Sequence, residues 1–182
     1  LRRLYASGRY RDIEVRGVRN GNGVTLIFDG PPRYYVGRIT IDGVKSDRLV
    51  ALLEFATKMS PGTAFTPSDV AAGTEGIKQM LEQQGYYQSK IAAQQEIDRA
   101  GDQVNVTYTV TIGPQARIGQ VTVEGSDVGL TLAEFRKKGK LKQGSKVTRD
   151  TTSNALSKLR ALYQKNDHLE ATVTLQKQTY NA

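Results

Sequence analysis

Shifted by 82 residues, the chain matches itself without a gap from residue 37 to residue 175. GRITIDG at 37–43 falls on GQVTVEG at 119–125, and Lys58, Gly62 and Thr66 fall on Lys140, Gly144 and Thr148. Apolar positions keep step: Met59 with Leu141, Phe65 with Val147, Ile77 with Leu159, Met80 with Leu162, Leu81 with Tyr163 and Ile91 with Val173. A third, partial copy opens the chain, where LYASGRYRDIEV at 4–15 lines up with LEQQGYYQSKIA at 81–92, Gly8 on Gly85 and Tyr10 on Tyr87. Such a repeat points to tandem modules, each copy one supersecondary unit. Gly30-Pro31 and Gly113-Pro114 punctuate the copies and leave linkers of a few residues. The expected division is 1–34, the C-terminal part of a module; 35–114, a complete module; and 115–182, a module lacking its last strand.

Within the complete copy the order of elements is readable. Residues 36–41 alternate and end at Asp42-Gly43, a strand and a turn. Ser46-Asp47 caps a helix through Leu49, Val50, Leu52, Leu53 and Phe55, which Ser60-Pro61-Gly62 breaks. Thr66-Pro67-Ser68-Asp69 starts a second helix, with the Thr66 hydroxyl expected to accept backbone N–H groups and Pro67 suited to the first turn. Val70, Thr74, Ile77 and Leu81 line one face, and Gly85 ends it. A weaker strand is expected from Tyr87 to Ile97. After a turn at Gly101-Asp102, Val104, Val106, Tyr108, Val110 and Ile112 alternate with polar residues, the clearest strand in the chain. In the first copy, Asn20-Gly21-Asn22-Gly23 joins two strand-like runs as a hairpin turn. The fold class is α+β: tandem β-α-α-β-β modules, each a three-stranded mixed sheet with two helices on one face.

That order, the period near 80 residues, the strand ending in Asp/Glu-Gly, the Pro-Gly and Phe-Thr link and the Gly-Tyr-Tyr after the second helix resemble polypeptide-transport-associated (POTRA) domains of BamA-type outer-membrane assembly factors and their relatives. The third copy departs from the pattern, with Asp167-His168-Leu169 in place of Gly85-Tyr86-Tyr87. The resemblance implies a periplasmic location, as the soluble part of an outer-membrane protein, and a membrane barrel as neighbour. It also implies unfolded outer-membrane β-barrel precursors or accessory assembly lipoproteins as partners.

Charge is segmental. Residues 1–34 hold 7 basic and 3 acidic side chains, residues 35–114 hold 7 and 9, and residues 115–182 hold 12 and 6, which makes up the net +8. An acidic middle does not fit a uniformly basic nucleic-acid binder. With no cysteine, thiolate nucleophiles and Cys-based metal sites are excluded. His168 is the only histidine and stands at a helix–strand corner, and the glycines of GVRNGNG lack the spacing of a phosphate loop. No enzyme activity and no cofactor are therefore expected. The cluster RKKGKLKQGSK at 136–146 is read as a solvated helix end or, through Arg136, Lys137, Lys138, Lys140 and Lys142, as a contact for anionic lipid or a partner subunit. Aromatic residues are not interleaved there, which argues against nucleic acid. No run of about 18 apolar residues is present, and the chain, opening on Leu1 without a signal-peptide core, reads as part of something longer.

A sheet covered on one face still has two edges. Alternation makes residues 24–28 and 104–112 the expected central strands, and the resemblance places the last strand of a module between the other two. The edge strands are then Tyr87, Gln88, Ser89, Lys90, Ile91 and Ala92, and, in the third copy, Glu170, Ala171, Thr172, Val173 and Thr174. An edge offers unpaired N–H and C=O groups to an extended peptide. Clients bound by strand addition are the first expectation; an architectural array of a secretion or division complex, and a basic nucleic-acid-binding protein, are the alternatives. In the repeat register the counterpart of residues 104–112 falls at 186–194, so the third module is expected to lack its central strand and the protein to continue past Ala182.

Overall fold

The computed structural model describes residues 2–125 and 131–181. Two compact units divide the chain, Leu1–Ile77 with Ile91–Thr111, and Lys78–Lys90 with Ile112–Ala182.

In the first unit a short helix, α1 (Arg2–Ala6), precedes a hairpin of β1 (Glu14–Asn20) and β2 (Gly23–Asp29). Its register pairs Asn20 with Gly23, and Gly21 sits at φ 57°, the left-handed turn that the Asn-Gly pair supplies. Val24, Leu26 and Phe28 remain exposed. Residues 24–28, expected as a central strand, thus belong to a two-stranded sheet, because their alternation marks a half-buried strand without saying how many neighbours it has.

The complete module follows: β3 (Tyr35–Asp42), α2 (Asp47–Ala56), α3 (Pro67–Gln83), β4 (Lys90–Asp98) and β5 (Gln103–Thr111). The strand order is β3-β5-β4. β3 runs parallel to β5, with an irregularity between Val36 and Ile39, where the Asn105 side chain accepts the Arg38 N–H at 2.7 Å. The four-residue connection from β4 to β5 allows only an antiparallel pair, so the sheet is mixed. Val104, Val106, Tyr108 and Val110 are buried while their neighbours are not, giving a sheet covered on one face. Opposite them Leu53 and Ala56 of α2 and Val70 and Ile77 of α3 are buried.

Local capping explains the helix starts. The Ser46 hydroxyl accepts the Leu49 N–H at 3.4 Å. At α3 the capping differs from expectation: the Thr66 hydroxyl faces that of Ser68, and the Asp69 carboxylate accepts the Thr66 N–H at 2.7 Å. Two glycines inside α3 cost helix propensity and are explained by packing. A Cβ at Gly76 would collide with the Ala56 carbonyl oxygen, and one at Gly73 with the Tyr108 hydroxyl.

In the second unit the end of α3 is followed by α4 (Leu132–Lys138) and α5 (Arg149–Lys165), which bury Phe135, Ala155 and Leu159. Thr131 and Thr148 cap them with reciprocal side-chain and backbone bonds. Residues 117–124 and 169–181 form no strand, apart from a bridge between Arg117 and Lys146. Ladder hydrogen bonds define a strand, and among the described residues neither stretch is paired in a ladder.

Backbone angles repeat along with the residues. Lys58 and Lys140 both stand at φ 56°, and Gly62 and Gly144 at 83° and 81°.

Gly76→Ala should lower stability by about 1–2 kcal/mol in thermal unfolding, although alanine is favoured in a free helix by about 1 kcal/mol. A raised midpoint would show that α2 and α3 do not approach this closely. Burial raises the Tyr108 phenol above 10.0, helped by the Asp69 charge, so the folded state prefers the neutral form. The stability so conferred is complete below the unfolded value near 10 and declines as pH rises through and above it. Tyr108→Phe should therefore flatten the alkaline limb of stability against pH, and an unchanged limb would assign that limb to other groups.

Candidate functional site

The two outer strands of the three-stranded sheet differ. Residues 62–65 run beside β3: Tyr35 bridges Ala64, the Val36 N–H donates to the Thr63 carbonyl at 2.8 Å, the Gly62 N–H to Val36 at 2.8 Å, and the Phe65 N–H to Tyr34 at 2.9 Å. The start of β3 is thereby closed. The third copy repeats this pairing, with Ile118 N–H to Ser145 at 2.8 Å, Gly144 N–H to Ile118 at 2.8 Å and Val147 N–H to Ala116 at 3.0 Å. Sequence reasoning read 60–62 only as a helix breaker. The signal was the matched pair GTAFT and GSKVT, whose shared pattern continues past the break.

β4 is open. It ends the strand order, and of its nine residues Ile91 alone is even half-buried. KIAAQQEID contains no proline, so each backbone N–H is available, and its Lys, Glu and Asp are the charges that keep bare edges soluble. Asp98 closes the strand by accepting the Ala100 and Gly101 N–H groups at 3.0 and 3.2 Å.

Of the expected edge residues, Lys90, Ile91 and Ala92 lie in β4, whereas Tyr87, Gln88 and Ser89 precede it. Those three still belong to the helix corner, where the Tyr86 N–H reaches back to the Leu81 carbonyl at 2.8 Å. Tyr87 stacks on Tyr180, ring centroids 4.8 Å apart, and its hydroxyl accepts from Gln178 at 2.7 Å. Glu170, Ala171, Thr172, Val173 and Thr174 form no strand; the Ala171 N–H turns back to His168 at 3.1 Å. The basic residues separate as well. Arg136 is half-buried and donates to the Val121 carbonyl at 2.8 Å, with its Nε buried and unpartnered among the described residues. Lys137, Lys138, Lys140 and Lys142 are exposed.

His168 lies at its corner, its ring edge-on to Tyr163 at 6.5 Å. Among the described residues no three His, Cys, Asp or Glu side chains group as metal ligands, and no described helix is long and apolar enough to cross a membrane.

The corner itself recurs. Gly8, Gly85 and Asp167 stand at φ 70°, 85° and 63°. The Asp167 corner retains the reach-back bond, His168 N–H to Tyr163 at 3.1 Å. At Gly85 the carbonyl accepts the Ala116 N–H at 2.8 Å, Gln115 reaches the Gln84 carbonyl at 2.8 Å, and a Cβ would collide with the Val147 carbonyl oxygen.

One β-α-α-β-β unit, followed by a copy of its helices and of its returning segment, defines a modular array. The chain matches the POTRA family, described as "Surface antigen variable number repeat", over residues 34–113 and again over 116–181. It belongs to the POTRA family. Solved structures that the chain matches include BamA POTRA3-5 of Haemophilus influenzae, at 20% identity, TM-score 0.43, covering 84% of this chain and 61% of that one. POTRA1-2 of the periplasmic domain of Omp85 from Anabaena matches at 17% identity, TM-score 0.46, over 82% of this chain and 89% of that one. Haemophilus influenzae BamA POTRA4 matches at 24% identity, TM-score 0.40, over 46% of this chain and 95% of that one.

Equivalent corners should respond with opposite signs. Gly85→Ala should lower stability by about 2–4 kcal/mol, from the left-handed backbone and the overlap with Val147 together. Asp167→Gly should leave stability unchanged or raise it by up to about 1 kcal/mol. Calorimetry of the two variants checks this, and losses of equal size would contradict the shared corner conformation.

Proposed function

We propose that this chain is a periplasmic scaffold of POTRA modules that binds extended client segments along the open edge of β4 and passes them to a membrane barrel. Clients would be unfolded outer-membrane β-barrel precursors or accessory subunits of the assembly machine. The modules divide at 1–34, 35–114 and 115–182. The observation that carries the reading is the asymmetry of the sheet: β3 is paired on both sides at its start, while β4 is paired on one.

Strand addition uses backbone groups, so it accepts clients whose only shared feature is extended, alternating sequence. Each added hydrogen bond contributes about 0.5–1.5 kcal/mol net, against about 1–2 kcal/mol per client residue ordered. The two nearly cancel, and a single edge holds a client weakly. Weak holding by several tethered edges raises avidity while leaving each contact quick to release, which suits delivery rather than storage. The residues assigned to the edge are those of β4, 90–98; Tyr87, Gln88 and Ser89 support its start.

Of two consecutive residues in an edge strand, one directs its N–H into the ladder and the other outward. Proline at Gln94 and at Gln95, tested separately, therefore separates stability from binding. One variant should lose thermal stability. The other should keep its midpoint within a few degrees and bind a β-barrel precursor peptide at least about fivefold more weakly, by titration calorimetry or amide shifts. Alanine at either site should do little. If alanine weakens binding as much as proline does, recognition rests on side chains and strand addition is wrong.

A further inference from the structure

In the repeat register residues 136–142 of the third copy stand where residues 54–60 stand in the complete module. Both segments end a helix and then place a lysine, Lys58 or Lys140, at φ 56°. The side chains around that shared backbone differ sharply. The complete module has Glu54, exposed Phe55, Ala56, Thr57, Lys58, Met59 and Ser60, with no net charge; the third copy has Arg136, Lys137, Lys138, Gly139, Lys140, Leu141 and Lys142, with a charge of +5. Arg136 is accounted for by its bond to the Val121 carbonyl. Lys140 occupies a position that is lysine in both copies. Lys137, Lys138 and Lys142 are exposed and replace Phe55, Ala56 and Ser60, so the corner closes equally well without their charge.

The helix end explains them only in part. Lys137 and Lys138 lie in the last turn of α4, where cations suit the C-terminus, but the dipole effect fades within that turn and Lys142 lies beyond it. Glu134 is the acidic side chain facing Lys137 and Lys138, and it is held by Thr131 at the opposite end of the helix. Four like charges within six residues repel one another unless an external anion neutralises them. Lysines on long flexible stems match a diffuse field of phosphates better than the fixed fork that arginine offers a single carboxylate. The absence of interleaved aromatic residues argues against single-stranded nucleic acid.

We propose that Lys137, Lys138, Lys140 and Lys142 dock the third copy on an anionic lipid surface. The surface is separate from β4, and vesicle binding is measured without any client peptide. The test uses the whole 182-residue chain in sedimentation with phosphatidylglycerol-containing vesicles and with vesicles of phosphatidylcholine alone. Binding should be at least about tenfold stronger to the former and should fade between about 0.1 M and 1 M salt, as the screening length falls from about 10 to about 3 Å. The variant Lys137→Glu/Lys138→Glu/Lys142→Glu spares Arg136 and Lys140, should unfold at the parent temperature, and should lose about tenfold or more in vesicle binding. A control matched in charge, Lys158→Glu/Arg160→Glu/Lys165→Glu on exposed positions of α5, should keep most of it. Equal loss in the control would reduce the effect to net charge and overturn the proposal. No preference for anionic vesicles, or capture of an acidic polypeptide without vesicle binding, would overturn it as well.

Discussion

The parallel ladder between β3 and β5 organises the complete module. Parallel neighbours cannot be joined by a tight turn, so the chain between them must cross the sheet, and α2 and α3 make that crossing on one face. The same crossing leaves β4 to enter last but one and pair with β5 from the far side. β5 therefore has two strand neighbours and a covered face, which is why Val104, Val106, Tyr108 and Val110 are all buried. β4 is left with a ladder on one side and bare backbone on the other. An open edge in this fold is a consequence of connectivity and does not need a special sequence to create it.

Closing the other edge does need sequence. The returning segment at 62–65 pairs with the start of β3, and its counterpart at 144–147 pairs with 116–118 in a copy that forms no three-stranded sheet among the described residues. The pairing is thus local to each first strand and independent of the central ladder. Left-handed residues at Lys58, Gly62 and Gly85 recur at Lys140, Gly144 and Asp167. Repeats diverge freely in side chains where the backbone bond alone is required, as at Asp167, and stay glycine where a carbonyl comes too close for a Cβ, as at Gly85.

Much of the module was legible because its elements have distinct periods. Ser46-Asp47, the 70-74-77-81 stripe and the strict alternation from Val104 onward each point to one element, and Asn20-Gly21 to one turn. The beginning of β4 was not legible. An edge strand buries little, so KIAAQQEID carries no alternation, and the three residues before it lie in the turn that follows the α3 corner, where the Tyr86 N–H reaches back to Leu81. Nor could the basic run be divided by reading it. Arg136 and Lys137 are adjacent charges of one sign, and only the Val121 carbonyl distinguishes the half-buried guanidinium from the solvated ammonium. In the third copy the helices formed where the repeat register places them, whereas residues 170–174 did not become a strand. A helix satisfies its own backbone, while a strand depends on a partner that sequence pattern alone does not supply.

The central claim is that the outer edge is closed at the start of β3 and open along β4, and native-state amide hydrogen exchange measures this directly. The Val36 and Phe65 amides, bonded across the closed edge, should be protected to a degree approaching that of β5. Along β4, protection should alternate, with every second amide exchanging at nearly the rate of an unstructured peptide. Uniform protection along β4, or rapid exchange at Val36, would contradict the account.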